Sequence, residues 1–203
     1  MANRSDFKIY LKTDRCDLVP QNFHGHIYLN HNEQFGIVIE NNSNLKVKAH
    51  FFLSGESVGV LILNPRSIEV LKRPIVGVDR CFQYCAFGTK TAVYGKLNEY
   101  KPHSDEITVI IRPQKPTESQ DNICVPECAD YGVASSKSIT IETDGPVSNR
   151  GGIVLNQNIS HQKFKLAKFF ETRGEYYYTL LLRTIKESLT TNQVIPLCEM
   201  MEH

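Results

Sequence analysis

The chain has 203 residues, with Lys plus Arg at 23 against Asp plus Glu at 22, for a formal charge of +1. That balance excludes the strongly basic face of a general nucleic-acid binder and argues against an acidic disordered tail protein. Hydrophobic residues at 41% can fill a core in a chain of this length, and no run of about 18 uncharged apolar residues is present to span a membrane.

The opening MANRSDFKIYLKTDR is polar and has no apolar h-region, so no signal peptide and a reducing compartment are expected. Residues 1–30 show no clear period and read as an N-terminal arm or an irregular first strand. The run FGIVIE at 35–40 is short, apolar and β-branched, as a buried strand is. Asn41, Asn42, Ser43 and Asn44 follow as a turn, because Asn and Ser side chains hydrogen-bond their own backbone. Over 45–53, Leu45, Val47, Ala49, Phe51 and Leu53 fall on one face and Lys46, Lys48 and His50 on the other. That is a strand with one side in the core and one in water. Ser54-Gly55 closes a hairpin onto the next run, 58–63.

Asn64-Pro65-Arg66 breaks that strand, 67–71 starts another, and 80–87 follows, ending in a turn at Gly88. A segment around Ala92, Val93 and Tyr94 leads to a strand at 107–112. From 113 to about 137, Pro113, Pro116 and Pro126 with several serines and two cysteines make a loop insertion of little regular structure. Strand signals resume at 138–142, 151–155, 162–170 and 176–185, and 189–203 reads as a C-terminal tail. No long helical stripe with caps occurs. About nine short strands joined by Gly, Asn and Pro turns predict one all-β domain over 31–188. Its expected form is an antiparallel β-sandwich, wound as a single jelly roll with extended termini.

Chemistry-bearing motifs are sparse. G-x-G-x-x-G, G-K-[ST], H-E-x-x-H and G-x-S-x-G are all missing, so nucleotide, metalloprotease and α/β-hydrolase chemistry have no foothold. N-x-[ST] triplets begin at Asn3, Asn41 and Asn158 and carry no meaning without secretion. The six cysteines are at 16, 81, 85, 124, 128 and 198. On a strand Cys81 and Cys85 share a face about 13 Å apart, too far for one zinc ion with Zn–S bonds of about 2.3 Å. Cys124 and Cys128 flank Pro126, whose turn can bring the thiols together, so free thiols stand there beside a disulfide or a metal.

His24-Gly25-His26 is the one pattern with an enzyme reading. On a strand the two imidazoles point the same way about 6.5 Å apart, a spacing that can converge on a metal. Cupins carry such a pair with a later Glu and a distant His; Glu33 and His50 are the candidates here. The bland alternative is two exposed histidines in a loop. Tyr176, Tyr177 and Tyr178, with Phe169 and Phe170, form the densest aromatic cluster. Rings of this kind stack on bases or sugars, but alternate ones also fill a sandwich while the others cover a neighbour. Lys163, Lys165 and Lys168 lie on the strand expected at 162–170 and make a small positive patch or a solvated face.

The stretch 35–84 resembles a β-sandwich module of structural proteins of large icosahedral double-stranded DNA viruses. The resemblance lies in GIVIENNSN at 36–44 and the alternating strand after it, GESVG at 55–59, KRP at 72–74 and RCFQY at 80–84. GGIVL at 151–155, then QKF at 162–164 and a closing strand, is similar to the module's second half. The resemblance implies a penton (five-fold vertex) or minor capsid protein of the virion, assembled in the host cytoplasm. Such a subunit is non-enzymatic, has no cofactor, and contacts copies of itself, as in a pentamer, and neighbouring capsid proteins. It is expected to bind no nucleic acid. Two alternatives stand beside it: a soluble carbohydrate- or protein-binding module, and a cupin-like metal enzyme using His24 and His26.

Overall fold

A computed structural model of the chain describes residues 3–22, 24–115, 148–165 and 170–185. A 3-10 turn at Arg4–Asp6 precedes β1 (Phe7–Thr13), β2 (His26–Leu29), β3 (Phe35–Asn41), β4 (Val47–Leu53), β5 (Glu56–Leu63), β6 (Ser67–Leu71) and β7 (Arg80–Ala86). A short helix α1 (Lys90–Tyr94), β8 (Glu106–Pro113), β9 (Gly151–Ile159) and β10 (Tyr176–Thr184) complete the described elements. The strands form an all-β sandwich. One sheet has the order β1-β3-β6, the other β2-β10-β8-β4-β5, and β7-β9 forms a two-stranded ribbon.

The alternation in β4 sets the layer. Val47, Ala49, Phe51 and Leu53 are buried, while Lys48, His50 and Phe52 between them are partly exposed. β8 repeats the pattern beside it, with Ile107, Val109 and Ile111 inward and paired with Leu53, Phe51 and Ala49. From the opposite sheet Phe7, Leu11, Ile37, Ile39 and Leu71 meet them, and Phe82 and Tyr84 enter from β7. Burying such side chains contributes roughly 1.5–3 kcal/mol each. The hairpin from β4 to β5 turns as expected at Ser54 (φ 51) and Gly55 (φ 78), the double positive φ of a type I′ turn. Asn41 pins the next turn from inside: its Nδ2 donates to Leu45 O and Asn64 O, and its Oδ1 accepts from Ser43 N–H and Oγ–H.

Four features depart from the sequence expectations. First, β1 within 1–30 is a regular strand: all seven of its residues pair antiparallel with β3, and Phe7, Leu11 and Thr13 are buried. Second, β10 pairs parallel with β2, so the larger sheet is mixed rather than antiparallel throughout. Third, Ala92 to Tyr94 belong to a helix, because Thr89 caps it by accepting the Ala92 N–H on its Oγ1. Fourth, 162–165 are not strand. Gln162 instead uses its side-chain amide against β6, with Oε1 accepting Lys72 N–H at 3.0 Å and Nε2 donating to Val70 O at 2.6 Å. The strand expected at 138–142, most of the 113–137 loop, Lys168, Phe169, Cys124, Cys128 and the tail lie outside the described residues.

The same economy closes several strand edges, which would otherwise invite pairing. Val19 N–H bonds Leu11 O beside β1, and Asn22 N–H bonds His26 O beside β2. At β5 a bulge opposite Phe51 and Phe52 turns out Val58 O, which accepts from Ile75 N–H at 2.8 Å. Gly59 permits this approach, since a Cβ there would lie 2.6 Å from Ile75 Cβ.

Candidate functional site

His24 and His26 do not share a strand. Asn22 folds the chain back, its Oδ1 accepting the N–H groups of His24 at 3.0 Å and His26 at 2.9 Å, and Gly25 takes φ 81 between them. Only His26 opens β2. The two rings still lie 6.0 Å apart between centroids, reached through a turn rather than by strand pitch.

The parallel register sets His26 opposite Leu181 and brings Arg183 within reach, its Nη2 3.4 Å from His26 Nε2. Arg183 leads to Asp105, just ahead of β8. The Asp105 carboxylate accepts from Arg183 Nη1 at 2.5 Å, and from Arg150 Nε and Nη2, both at 2.9 Å. The second pair is a two-pronged fork that fixes direction as well as charge. Burial pushes the Asp105 carboxyl up, and the hydrogen bonds from Arg150 and Arg183 more than reverse it, so the group is held below the usual carboxylate range. Burial first, then the Arg183 charge, lowers His26. Next to this cluster Tyr84 Oη and Thr184 Oγ1 meet at 2.7 Å inside the core, and Thr184 reaches Ser148 O and Arg150 O at 3.4 and 3.5 Å.

These residues tie β2, β7, β8, β9 and β10 together. Glu33 turns its carboxylate to Asn30, accepting from backbone N–H at 2.8 Å and Nδ2 at 3.1 Å. His50 stands on β4, three strands and about 14 Å across the sheet from β2, with its Nε2 2.7 Å from Ser57 Oγ. Among the described residues no three His, Cys, Asp or Glu side chains converge as metal ligands. Cys16, Cys81 and Cys85 are free thiols. Burial raises Cys81 and pushes Cys85 up to about 12, so both remain protonated.

The aromatic cluster divides by face. Tyr176 and Tyr178 pack against the core, Tyr176 with its ring 5.6 Å from that of Phe7 and Tyr178 under the Arg4 guanidinium at 5.4 Å. Tyr177 points outward, 56% exposed. Register places it in a row across the outside of the larger sheet: Tyr177 opposite Ile110, Ile110 opposite His50, His50 opposite Val60. Phe52 lies 4.1 Å from His50, ring to ring, and Ile62 and Leu181 also face out beside them. This row, flanked on the same face by Lys48 and Arg112 on one side and by Ser57, Thr108 and Thr179 on the other, had no sequence signal beyond Tyr177, because the outward residues of β5 and β8 read as part of continuous apolar runs. Lys163 and Lys165 are exposed on either side of Phe164, which stacks on Arg73 at 4.6 Å. On the short helix and the loop after it, Tyr94 and Tyr100 are 83% and 87% exposed.

Comparison with protein-family models, with curated proteins and with solved structures finds no match to this chain.

Proposed function

We propose that the chain is a non-enzymatic structural protein, a jelly-roll capsid subunit of the penton or minor kind that associates with its own copies and with neighbouring coat proteins. The observation that carries this reading is the outward face of the five-stranded sheet. The row Tyr177, Ile110, His50 and Val60, with Phe52 and Ile62 beside it, offers a band of aromatic and aliphatic surface bordered by Lys48, Arg112, Thr108 and Thr179 on a rigid scaffold. Apolar, aromatic-centred surface of this kind is what the core of a protein interface consists of. Loop backbone bonds to Leu11 of β1, His26 of β2 and Val58 of β5 hinder strand addition at those edges and favour association through the face. A near-neutral chain does not repel its copies.

Sedimentation velocity of the full chain over a range of concentrations tests it. Self-association is expected, and Val60→Lys is expected to abolish it while circular dichroism keeps its β signature. A wild-type chain that stays monomeric at high concentration and forms no particle with coat proteins overturns the reading.

A second reading has its own observation. Tyr94 and Tyr100 present nearly bare rings on one side of the sandwich, as sugar- or peptide-binding loops do. Glycan-array binding that is lost in the Tyr94→Ala, Tyr100→Ala variant supports a binding module; an array with no signal rejects its carbohydrate form.

A further inference from the structure

The β2–β3 turn, residues 30–34, is stitched to the end of β7. Asn32 N–H donates to Tyr84 O at 2.9 Å, Tyr84 N–H to Glu33 O at 2.9 Å, and Gln83 Nε2 to Asn32 O at 3.1 Å. Asn32 holds φ 64 to do this, a conformation that costs a non-glycine residue about 1 kcal/mol or more. The last stitch differs from the rest. Ala86 N–H donates to Nδ1 of His31 at 3.2 Å, so that nitrogen carries no proton and the ring's single proton is on Nε2. Nε2 is itself buried, with no hydrogen-bond partner among the described residues.

We propose that this contact is an acid-sensitive latch: neutral His31 holds the β2–β3 turn on the end of β7, and a proton on the ring releases it. Protonation needs Nδ1, because Nε2 already carries a hydrogen. The new Nδ1–H then opposes the Ala86 N–H, donor against donor, and Nε2–H becomes a buried cationic donor with nothing to accept it. The ring can take the proton only by turning away from Ala86 toward water. Among the described residues nothing nearby relieves the charge. The Asn32 and Gln83 amides are neutral, Cys85 remains a thiol, and the Glu33 carboxylate is held by Asn30. Burial alone lowers His31, with no charged side chain among the described residues acting on it.

The test is an NMR titration of the full chain between pH 7.5 and 5, following the His31 ring and the hydrogen-exchange protection of Ala86. His31 is expected to titrate below its ordinary value. Protection at Ala86 is expected to fall by up to tenfold for each pH unit below about 6.5, while protection within β4 and β8 holds. His31→Asn keeps an acceptor where Nδ1 stood and cannot titrate, so it is expected to hold Ala86 protection flat across the range. The proposal is overturned if wild-type Ala86 protection is independent of pH, or if His31→Asn loosens with acid as the wild type does. Should the variant fail to fold, the wild-type titration alone decides.

Discussion

Two buried charged groups fasten the sandwich, and they are satisfied in opposite ways. Beside the Arg80–Ile159 end of the β7–β9 ribbon Arg73 spends its guanidinium mostly on carbonyls: Nε and Nη2 donate to Gln162 O at 3.0 and 2.6 Å, and Nη1 to Pro74 O at 3.0 Å. The Phe164 ring covers it, and Asp79, 63% exposed, adds a partly solvated charge at 2.8 Å. At the other end Asp105 is a carboxylate between two guanidiniums, with its side chain 7% exposed. Removing Arg73 leaves neutral carbonyls and one carboxylate, Asp79, that is already 63% exposed. Removing Asp105 leaves two like charges facing each other, with Arg183 only 17% exposed. Loss of the anion therefore costs more than loss of the cation, although Arg73 makes as many contacts.

Asp105→Ala is the harshest test of that asymmetry. Breaking a buried pair costs about 3–5 kcal/mol; with Arg150 41% exposed and screened, the lower end is expected, about 3 kcal/mol in urea denaturation. Adding Arg183→Met to Asp105→Ala is expected to recover part of the loss, since the repulsion goes with the second charge. If the double variant is no better than the single one, like-charge repulsion is not the cause. Acid gives the same answer by another route. The folded carboxyl lies below its unfolded value, so its contribution is complete above the unfolded pKa of about 4 and is lost as pH falls through the folded one. Wild type is expected to weaken below pH 4, and Asp105→Asn, weaker from the outset, to lose less over that window.

Arg73→Met comes next, at about 2 kcal/mol, because the stem still packs on Phe164 while the bonds to Gln162 O and Pro74 O are lost. Its signature is local: amides of 160–165 and the side-chain contacts of Gln162 to β6 are expected to loosen before the core does. An Arg73→Met effect equal to that of Asp105→Ala would erase the distinction between the two ends.

These two ends also differ in how far the sequence could announce them. The period of 45–53, the Ser54-Gly55 hairpin and the strands at 107–112 and 176–185 follow from alternation and turn chemistry, which are local. β1 carries alternation over only Phe7 to Lys12, with Tyr10 blurring it, too short a stretch to stand out within 1–30. Arg73 sits in the KRP run at a strand end, but its partner is 89 residues away. Asp105 meets Arg150 and Arg183 across 45 and 78 residues, distances over which no spacing rule operates. The outward row from Tyr177 to Val60 depends on three registers at once. His24 and His26 gave a local signal that was real in distance, while the partners read with them, Glu33 and His50, bond elsewhere.

Tyr84→Phe probes the Asp105 end at its gentlest. The Tyr84 ring is fully buried and packed in the core, so removing only the hydroxyl leaves the apolar contacts in place. Burial raises the phenol, so it remains a neutral donor across the working pH range. Donation from Tyr84 Oη to Thr184 Oγ1 frees the Thr184 proton for Ser148 O or Arg150 O, which links β7 to β10 and to the start of β9. Without it Thr184 keeps a bond to a carbonyl and loses only an incoming donor. The cost is expected at about 1 kcal/mol, with no change in acid response, because no charge is stranded. A loss as large as that of Asp105→Ala would mean that the Tyr84–Thr184 contact, rather than the carboxylate, is what positions Arg150 and Arg183 at this end of the β7–β9 ribbon.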